Sequence, residues 1–297
     1  MKKFKIITVI FLILAFTSAS GVIYFSNMYK SLKQKHTETN SYENRLLNSD
    51  EWIYGDFTAS WRGINFSKSG EHKVINYETP RLAKANNTVA YIFAGAFLLL
   101  SIFYFLLIYF TYKNTDLLQK TLTLGLIFTA IAALFAGLLS PMMEISAFKH
   151  DMQIAINIKK FSLTKDFPGD MYFYYQSKSI VELVWILFKG KNIFVAVCIF
   201  LFSIVVPVTK LVYSLKTILN PASLNNKFAN FVINKIGKWS MADVFVVAVY
   251  LAYLSYNNLD AGVTTKSNTL VGLYFFLAYC ILSISSSYFI KKNNKIL

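Results

Sequence analysis

Long apolar stretches alternate with polar connections along the chain, and they predict six membrane-spanning helices. A helix needs about 20 apolar residues to cross about 30 Å of hydrocarbon, and the fifth stretch is short by this measure. Helices are expected because every backbone amide in lipid must be hydrogen-bonded within its own segment. The predicted spans are Ile6–Phe25, Val89–Tyr112, Leu118–Leu139, Ile193–Tyr213, Trp239–Leu254 and Leu270–Ile290.

The polar connections predict additional small elements. After the first span, a polar helical extension leads into EWIYGDFTASWRGINFSKSGEHKVINYETP. Its aromatic, β-branched and turn-forming residues predict short strands and turns in a loop domain over residues 26–87. In the connection over residues 140–192, TKDFPGDMYFYYQSKS looks irregular. The following SIVELVWILFKGK is apolar but too short to span, which is typical of an interfacial helix. We therefore expect an all-α polytopic membrane protein with a small extracytoplasmic loop domain.

Composition supports the membrane assignment. The chain has 297 residues, of which 55% are hydrophobic and only 15% are charged, against roughly 25% in soluble domains. The net charge of +15 does not indicate nucleic acid, because the excess of lysine lies in the short connections and at both termini. This positive-inside pattern predicts cytoplasmic termini, including a basic tail at residues 291–297, and both long connections outside.

The N-terminus, KKFKIITVIFLILAFTSASG, also has the features of a secretory signal. Because the apolar run resumes as VIYF, we expect an uncleaved signal anchor at residues 1–25. Cleavage would instead leave five spans and a mature N-terminus outside.

Motifs for familiar enzyme chemistry are missing from the sequence. There is no P-loop, GxSxG, HExxH or dinucleotide fingerprint, and the three histidines are scattered through the long connections. The two cysteines, Cys198 and Cys280, lie inside predicted spans and form no CxxC pair. We therefore expect neither an enzyme nor a bound metal or cofactor.

The fourth span contains two residues that are unusual in lipid, Pro207 and Lys210. Pro207 leaves the Ser203 carbonyl without its helical donor and is expected to kink the span. Lys210 lies one turn later, and an ammonium group in a membrane normally faces a polar cavity or a partner. Because Lys210 is near the predicted cytoplasmic end, its side chain could instead snorkel to the headgroups.

The fifth span opens with Trp239, Ser240 and Asp243. Ser240 with an acid three residues on is a capping-box arrangement, which alone would explain both residues. In the functional interpretation, Asp243 turns toward Lys210 and the two charges share a polar cleft.

Two acids flank the predicted bundle on its outer side. Glu144 follows Pro141 at the end of the third span, and Glu182 lies in the short apolar segment. Each could be solvated, or the two could together form the outer rim of an opening.

At this point two motifs resemble the paraquat-inducible protein A family. The first is a short interfacial stretch followed by a span that ends in Pro-x-x-Lys-Leu, here Pro207, Lys210 and Leu211. The second is the opening of the fifth span, here Gly237, Lys238, Trp239, Ser240, Met241, Asp243 and Val244. The resemblance covers a four-span module at residues 118–290, so that residues 88–117, the second span and a cytoplasmic turn, lie outside it.

The resemblance implies a multi-pass protein of the bacterial inner membrane that works with MCE-domain proteins, which form lipid tunnels between the two membranes. It implies phospholipid as cargo, a role in envelope integrity and a polar cleft at Pro207, Lys210, Ser240 and Asp243. A lysine suits a lipid phosphate as a compact point charge. This chain has one module where many members have two, and it lacks their Cys-rich zinc ribbon. It would therefore act as a homo-oligomer, or the ribbon would be dispensable.

Two other functions remain open from sequence. A secondary transporter or channel would need several ionisable groups near mid-bilayer, whereas the charges here lie mainly near the span ends. A membrane-embedded stress sensor or scaffold would use residues 26–87 as its receptor.

Overall fold

A computed structural model describes residues 2–53, 56–68, 78–112, 117–219 and 263–294. Within these ranges, five helices are long and apolar enough to cross a membrane. They correspond to the first, second, third, fourth and sixth predicted spans. The fifth predicted span, Trp239–Leu254, lies outside the described residues. The protein is thus a multi-pass helical membrane protein with five candidate spans.

The first two long helices, α1 (Lys2–Thr39) and α4 (Glu78–Tyr112), pack against each other in antiparallel orientation. The ring centroids of Phe11 and Tyr104 lie 4.0 Å apart, and those of Phe25 and Phe93 lie 5.5 Å apart. Small buried residues on α1, such as Ala15 and Ala19, let the backbones approach closely. As the polar pattern predicted, α1 continues as one helix well beyond its apolar part.

Helix α5 (Leu117–Leu139) is the most buried candidate span and packs against α9 (Val271–Asn294). Alanines line its contacts, and Ala130, Ala133 and Ala136 are fully buried. A side chain at Gly137 would come within 2.7 Å of the Phe276 backbone nitrogen. Glycine there permits the close approach of the two helices.

The fourth span is divided into three segments. Helix α7 (Ile193–Phe200) is followed by a π-helical turn (Leu201–Val205) and by helix α8 (Val206–Leu219). The Val206 N–H donates to the Leu201 carbonyl, five residues back. The π turn ends at Val205, two residues before Pro207, close to where sequence predicted an interruption. Such a turn is a known way to accommodate a break in a helix.

The structure also contains a five-stranded antiparallel sheet, so the all-α prediction is wrong. The strand order is β2-β1-β4-β3-β5, and the sheet follows α5 at one end of the bundle. The strands are β1 (Phe57–Trp61), β2 (Ile64–Lys68), β3 (Met143–Ile158), β4 (Phe161–Lys178) and β5 (Thr264–Thr269). The short strands predicted in the first connection are confirmed as β1 and β2.

The segment that looked irregular, TKDFPGDMYFYYQSKS, belongs to β4 except for its last residue, Ser179. Pro168 and Gly169 interrupt its strand pattern, but the β3–β4 register shifts at this point, between His150 and Met152. Asp151 adopts a positive φ of 47°, and its carboxylate accepts a hydrogen bond of 2.7 Å from the Gly169 N–H. This irregularity lets the long hairpin continue past a proline.

The two long connections build a single sheet. Strand β1 pairs with β4, with Trp61 opposite Phe161, so residues 57–68 do not form a sheet of their own. Two short helices, α2 (Tyr42–Leu47) and α3 (Ser49–Ile53), join α1 to β1. Trp52 of α3 packs edge-on against Phe167 of β4, with 5.5 Å between ring centroids.

The apolar segment after the sheet forms helix α6 (Ile180–Lys189), as predicted. Ile180 and Val184 are buried, whereas Trp185 and Phe188 are exposed. Such a two-sided helix is typical of a membrane interface.

Candidate functional site

The sheet end of the bundle contains a buried carboxylate, Glu144, which is 3% exposed. It is the second residue of β3 and lies directly beyond the end of α5. Its carboxylate accepts three side-chain hydrogen bonds, from Tyr29 Oη (2.7 Å), Asn268 Nδ2 (2.9 Å) and Tyr175 Oη (3.2 Å). The Lys33 ammonium lies 3.8 Å away. These partners stabilise a charge that would otherwise be costly to bury.

The tyrosines around Glu144 are held in their protonated form. Burial raises the pKa of Tyr175, and the nearby Glu144 charge raises it further. Burial, with Asp170 and Glu144, raises the pKa of Tyr172 to about 12. A protonated Tyr175 can donate its hydroxyl to the carboxylate at any physiological pH.

The second predicted acid, Glu182, lies in the first turn of α6 and has two roles. It completes a capping box, since its N–H donates to Ser179 Oγ (3.3 Å) and its carboxylate accepts from the Ser179 N–H (3.2 Å). The same carboxylate forms an ion pair with Lys30 of α1.

Together, Glu144, Glu182, Lys30 and Lys33 form what we call the junction cluster. Lys30 and Lys33 are three residues apart, so they lie close together on α1. One lysine holds the start of the β3–β4 hairpin and the other holds the start of α6. The structure thus brings both predicted rim acids onto α1 and leaves neither one simply solvated.

Open space adjoins the junction cluster. A cavity of about 450 Å³ is lined by polar residues of α1, including Lys30, Gln34 and Glu38, and by Glu182. A smaller cavity of about 180 Å³ has mainly apolar walls, including Met142, Ile180 and Leu183. Glu182 therefore borders an open polar space, while the role of the two acids as an outer rim stays a prediction.

The fourth span presents a buried polar face toward the bundle. In α8 the buried residues recur at helical spacing: Pro207, Lys210, Leu211, Ser214, Thr217 and Ile218. Lys210 is 2% exposed, whereas Lys216 on the same helix is exposed. Among the described residues, the hydroxyls of Ser203, Ser214 and Thr217 have no hydrogen-bond partner. Pro207 and Lys210 therefore share one inward face, as their spacing predicted.

The other residues of the predicted cleft, Ser240 and Asp243, lie outside the described residues. The same is true of the structural motif at Gly237, Lys238, Trp239 and Met241. The capping of the fifth span by Ser240 and the pairing of Asp243 with Lys210 therefore stay predictions.

The sequence did not predict most of the side chains that contact Glu144 and Glu182. Lys30, Lys33, Tyr29 and Asn268 carry no local signal, because their contacts with Glu144 and Glu182 arise only in the folded protein. Ser179 could have been found, since Ser-Ile-Val-Glu before an apolar run is a capping-box signature. Within the described ranges, no group of three or more His, Cys, Asp or Glu side chains could hold a metal ion.

Comparison with known proteins identifies one family. Residues 170–293 match paraquat-inducible protein A. The match begins within β4 and includes α6, the fourth span, β5 and all but the last residue of α9, while α5 precedes it. No curated protein and no solved structure matches the chain.

Proposed function

From the paraquat-inducible protein A domain at residues 170–293, we propose that the chain is a non-enzymatic component of an MCE-type lipid transport system. It resides in the bacterial inner membrane with both termini in the cytoplasm. It hands phospholipid between the bilayer and a periplasmic tunnel protein, and so maintains the envelope barrier.

The buried polar face of the fourth span is the observation that supports this proposal most strongly. Lys210, Ser214 and Thr217 are buried on one side of α8, within the family domain and within a candidate span. A charged group in such a position is costly and commonly lines a path for a polar group through the membrane. A phospholipid in transit presents such a polar group, its phosphate, to which lysine binds as a point charge.

Features at the sheet end are also consistent with handling lipid. Helix α6 exposes Trp185, Ile186 and Phe188, which are residues suited to the bilayer surface. The apolar cavity of about 180 Å³ lies between the start of this helix and the base of the β3–β4 hairpin. Apolar surface next to an interfacial helix favours contact with lipid tails leaving the membrane.

The experiment compares Lys210→Ala with Lys216→Ala in cells that lack the natural copy of the gene. Both lysines are on α8, but only Lys210 lies on the buried face. We expect Lys210→Ala to lose resistance to detergent and Lys216→Ala to keep it. Immunoblots of membrane fractions should show equal amounts of the two proteins.

Full detergent resistance with Lys210→Ala at normal abundance would contradict a functional role for this lysine. An equal loss of resistance in both variants would instead indicate a general effect of removing positive charge from α8.

A further inference from the structure

A cavity at the sheet end lies between three elements that are far apart in the sequence. It has a volume of about 530 Å³ and is bounded by α1, by the first turns of α4 and by the irregular part of the β3–β4 hairpin. This size is within the range of small-molecule sites in proteins, about 300–1,000 Å³. The junction cluster contributes Lys33 to its wall but lies mainly beside it.

Two lysines from different helices line this cavity. Lys33 comes from α1 and Lys84 from α4. Lys33 is 3.8 Å from the Glu144 carboxylate, so this ion pair already balances part of its positive charge. Lys84 has no ion-pair partner in the part of the chain that the structure describes. Two ammonium groups facing one space favour an anion between them.

The hairpin side of the cavity is polar but largely self-paired. His150 Nδ1 is 2.8 Å from one Asp170 oxygen, and His150 Nε2 is 3.1 Å from an Asp151 oxygen. The Asp170 carboxylate also lines the cavity, and a protonated His150 offsets part of its negative charge. Tyr172, protonated because its pKa is raised to about 12, adds a hydroxyl donor.

The position of the cavity relative to the bilayer limits what kind of anion could reach it. Lys33 lies eight residues beyond Phe25, the last residue of the predicted first span, which is about 12 Å along the helix. The headgroup layer extends about 5–8 Å beyond the hydrocarbon on each side. An apolar cluster of Tyr29, Ala83 and Leu270 lies on the bilayer side of Lys33 along α1. The cavity is therefore placed just above the headgroups.

We infer that this cavity binds a phosphate group, with Lys33 and Lys84 as its cationic ligands. A phospholipid headgroup lifted from the bilayer would place its phosphodiester here while its acyl chains remain near α1 and α4. Free phosphate has the same chemistry and is the alternative source. The headgroup assignment rests on the proposed lipid-transfer function, whereas the anion site rests on the cavity itself.

The test is isothermal titration calorimetry of the full-length protein in dodecyl maltoside micelles, with empty micelles as background. The probes are dihexanoylphosphatidylglycerol, a water-soluble phospholipid, and inorganic phosphate. Lys84→Gln removes one proposed ligand, and Lys35→Gln is the matched control, since Lys35 lies on α1 but lines a different cavity. Size-exclusion profiles and circular dichroism verify that both variants fold.

We expect saturable one-to-one binding of the short-chain lipid to wild type and to Lys35→Gln, and at least a tenfold weaker Kd for Lys84→Gln. If inorganic phosphate binds as tightly and shows the same loss, the site takes free phosphate. Absence of saturable binding for both probes, or unchanged binding by Lys84→Gln, would overturn the inference.

This result is independent of the barrier test on Lys210. Binding that requires Lys84, together with full barrier function in Lys210→Ala, would keep the anion site and remove the proposed transfer function. A barrier defect in Lys210→Ala, with no lipid or phosphate binding, would keep the proposed transfer function and remove the anion site.

Discussion

At the scale of single residues, Glu144 connects α1 to the sheet. It belongs to β3, but its hydrogen-bond donors come from α1, β4 and the residue Asn268 of β5. A buried carboxylate with several donors is stable only while all of them are present, because each unpaired buried donor carries a desolvation cost. Glu144 is therefore one of the side chains that hold α1 against the sheet, together with contacts such as that of His36 with Tyr172.

We predict that Glu144→Gln lowers the free energy of unfolding by about 1–3 kcal/mol. The substitution removes the charge opposite Lys33 and places an amide N–H₂ among hydroxyl and amide donors. Unfolding in a detergent–SDS titration measures the change. Glu38→Gln, an exposed substitution on α1, should stay within about 0.5 kcal/mol of wild type. An equally small effect for Glu144→Gln would show that the carboxylate does not hold the sheet to α1.

His150 makes the irregular part of the hairpin sensitive to pH. Its hydrogen bond with Asp170, followed by the charge of Asp151, raises the pKa of His150 above its ordinary value of 6.5. When the pKa of a histidine is higher in the folded state than in the unfolded state, its protonation stabilises the folded state. This stabilisation is fully present at pH values below the pKa of the unfolded state. The contribution is then lost as the pH rises through the folded pKa.

We therefore predict that the hairpin over residues 148–172 opens more readily at pH 8.5 than at pH 5.5. Hydrogen exchange, corrected for the intrinsic effect of pH on exchange rates, measures the local opening. His150→Gln should remove most of the difference between the two pH values. A pH dependence that is unchanged in His150→Gln would assign it to another group.

The two acids could be predicted from the sequence, but their partners could not. Glu144 and Glu182 could be selected because acids next to predicted spans are unusual. Their partners could not, since Tyr29 is 115 residues from Glu144 and Lys30 is 152 residues from Glu182. Such pairs depend on how α1 is placed against the hairpin, and no local pattern encodes that placement.

At the scale of elements, the fourth span shows most clearly how one residue, Pro207, determines local structure. Pro207 has no N–H to donate to Ser203, and its ring would clash with that carbonyl in a regular helix. The π turn at Leu201–Val205 provides the extra residue that absorbs this conflict. Sequence predicted the interruption, but the type of interruption depends on the surrounding packing.

We predict that Pro207→Ala impairs barrier function at normal abundance. Alanine restores the missing N–H, which favours a regular α-helix. A regular helix would change the direction of the Lys210 side chain relative to α7. The free energy of unfolding should be unchanged or raised by up to about 3 kcal/mol, since a helix-breaking residue is removed. Detergent resistance and SDS-titration unfolding provide the two measurements. Lower stability with normal resistance would mean that the π turn has a purely structural role.

Strand prediction succeeded for β1 and β2 and failed for β4, for a physical reason. Residues 57–68 are a short hairpin whose Arg62–Gly63 turn has positive φ angles, and Gly63 is a local turn signal that the sequence shows. Strand β4 contains Pro-Gly, which normally ends a strand. It continues here because β3 supplies a compensating irregularity at Asp151, and that pairing is not visible in either segment alone.

At the scale of the whole molecule, one sheet is assembled from three separate parts of the chain. Strands β1 and β2 precede the α4–α5 pair of spans, β3 and β4 follow it, and β5 directly precedes α9. Of these strands, only β5 and part of β4 belong to the matched family domain. The sheet thus joins the N-terminal part of the chain to the paraquat-inducible protein A domain.

We predict that the whole sheet lies on the outer side of the membrane. The lysine-rich short connections and termini require this orientation under the positive-inside rule. A cysteine introduced at Ser60 of β1 should react with a membrane-impermeant maleimide in spheroplasts, whereas one at Lys216 of α8 should react only after lysis. The reverse order of labelling would contradict the proposed topology.

The central claim is that the protein transfers phospholipid to or from an MCE partner. The most direct measurement is gentle affinity purification from native membranes, with mass spectrometry of both proteins and lipids, for wild type and Lys210→Ala. We predict an MCE-domain protein and enriched phospholipid with wild type, and less lipid with Lys210→Ala. Lipid-poor protein that co-purifies with signalling proteins instead would contradict the claim and favour a sensor or scaffold.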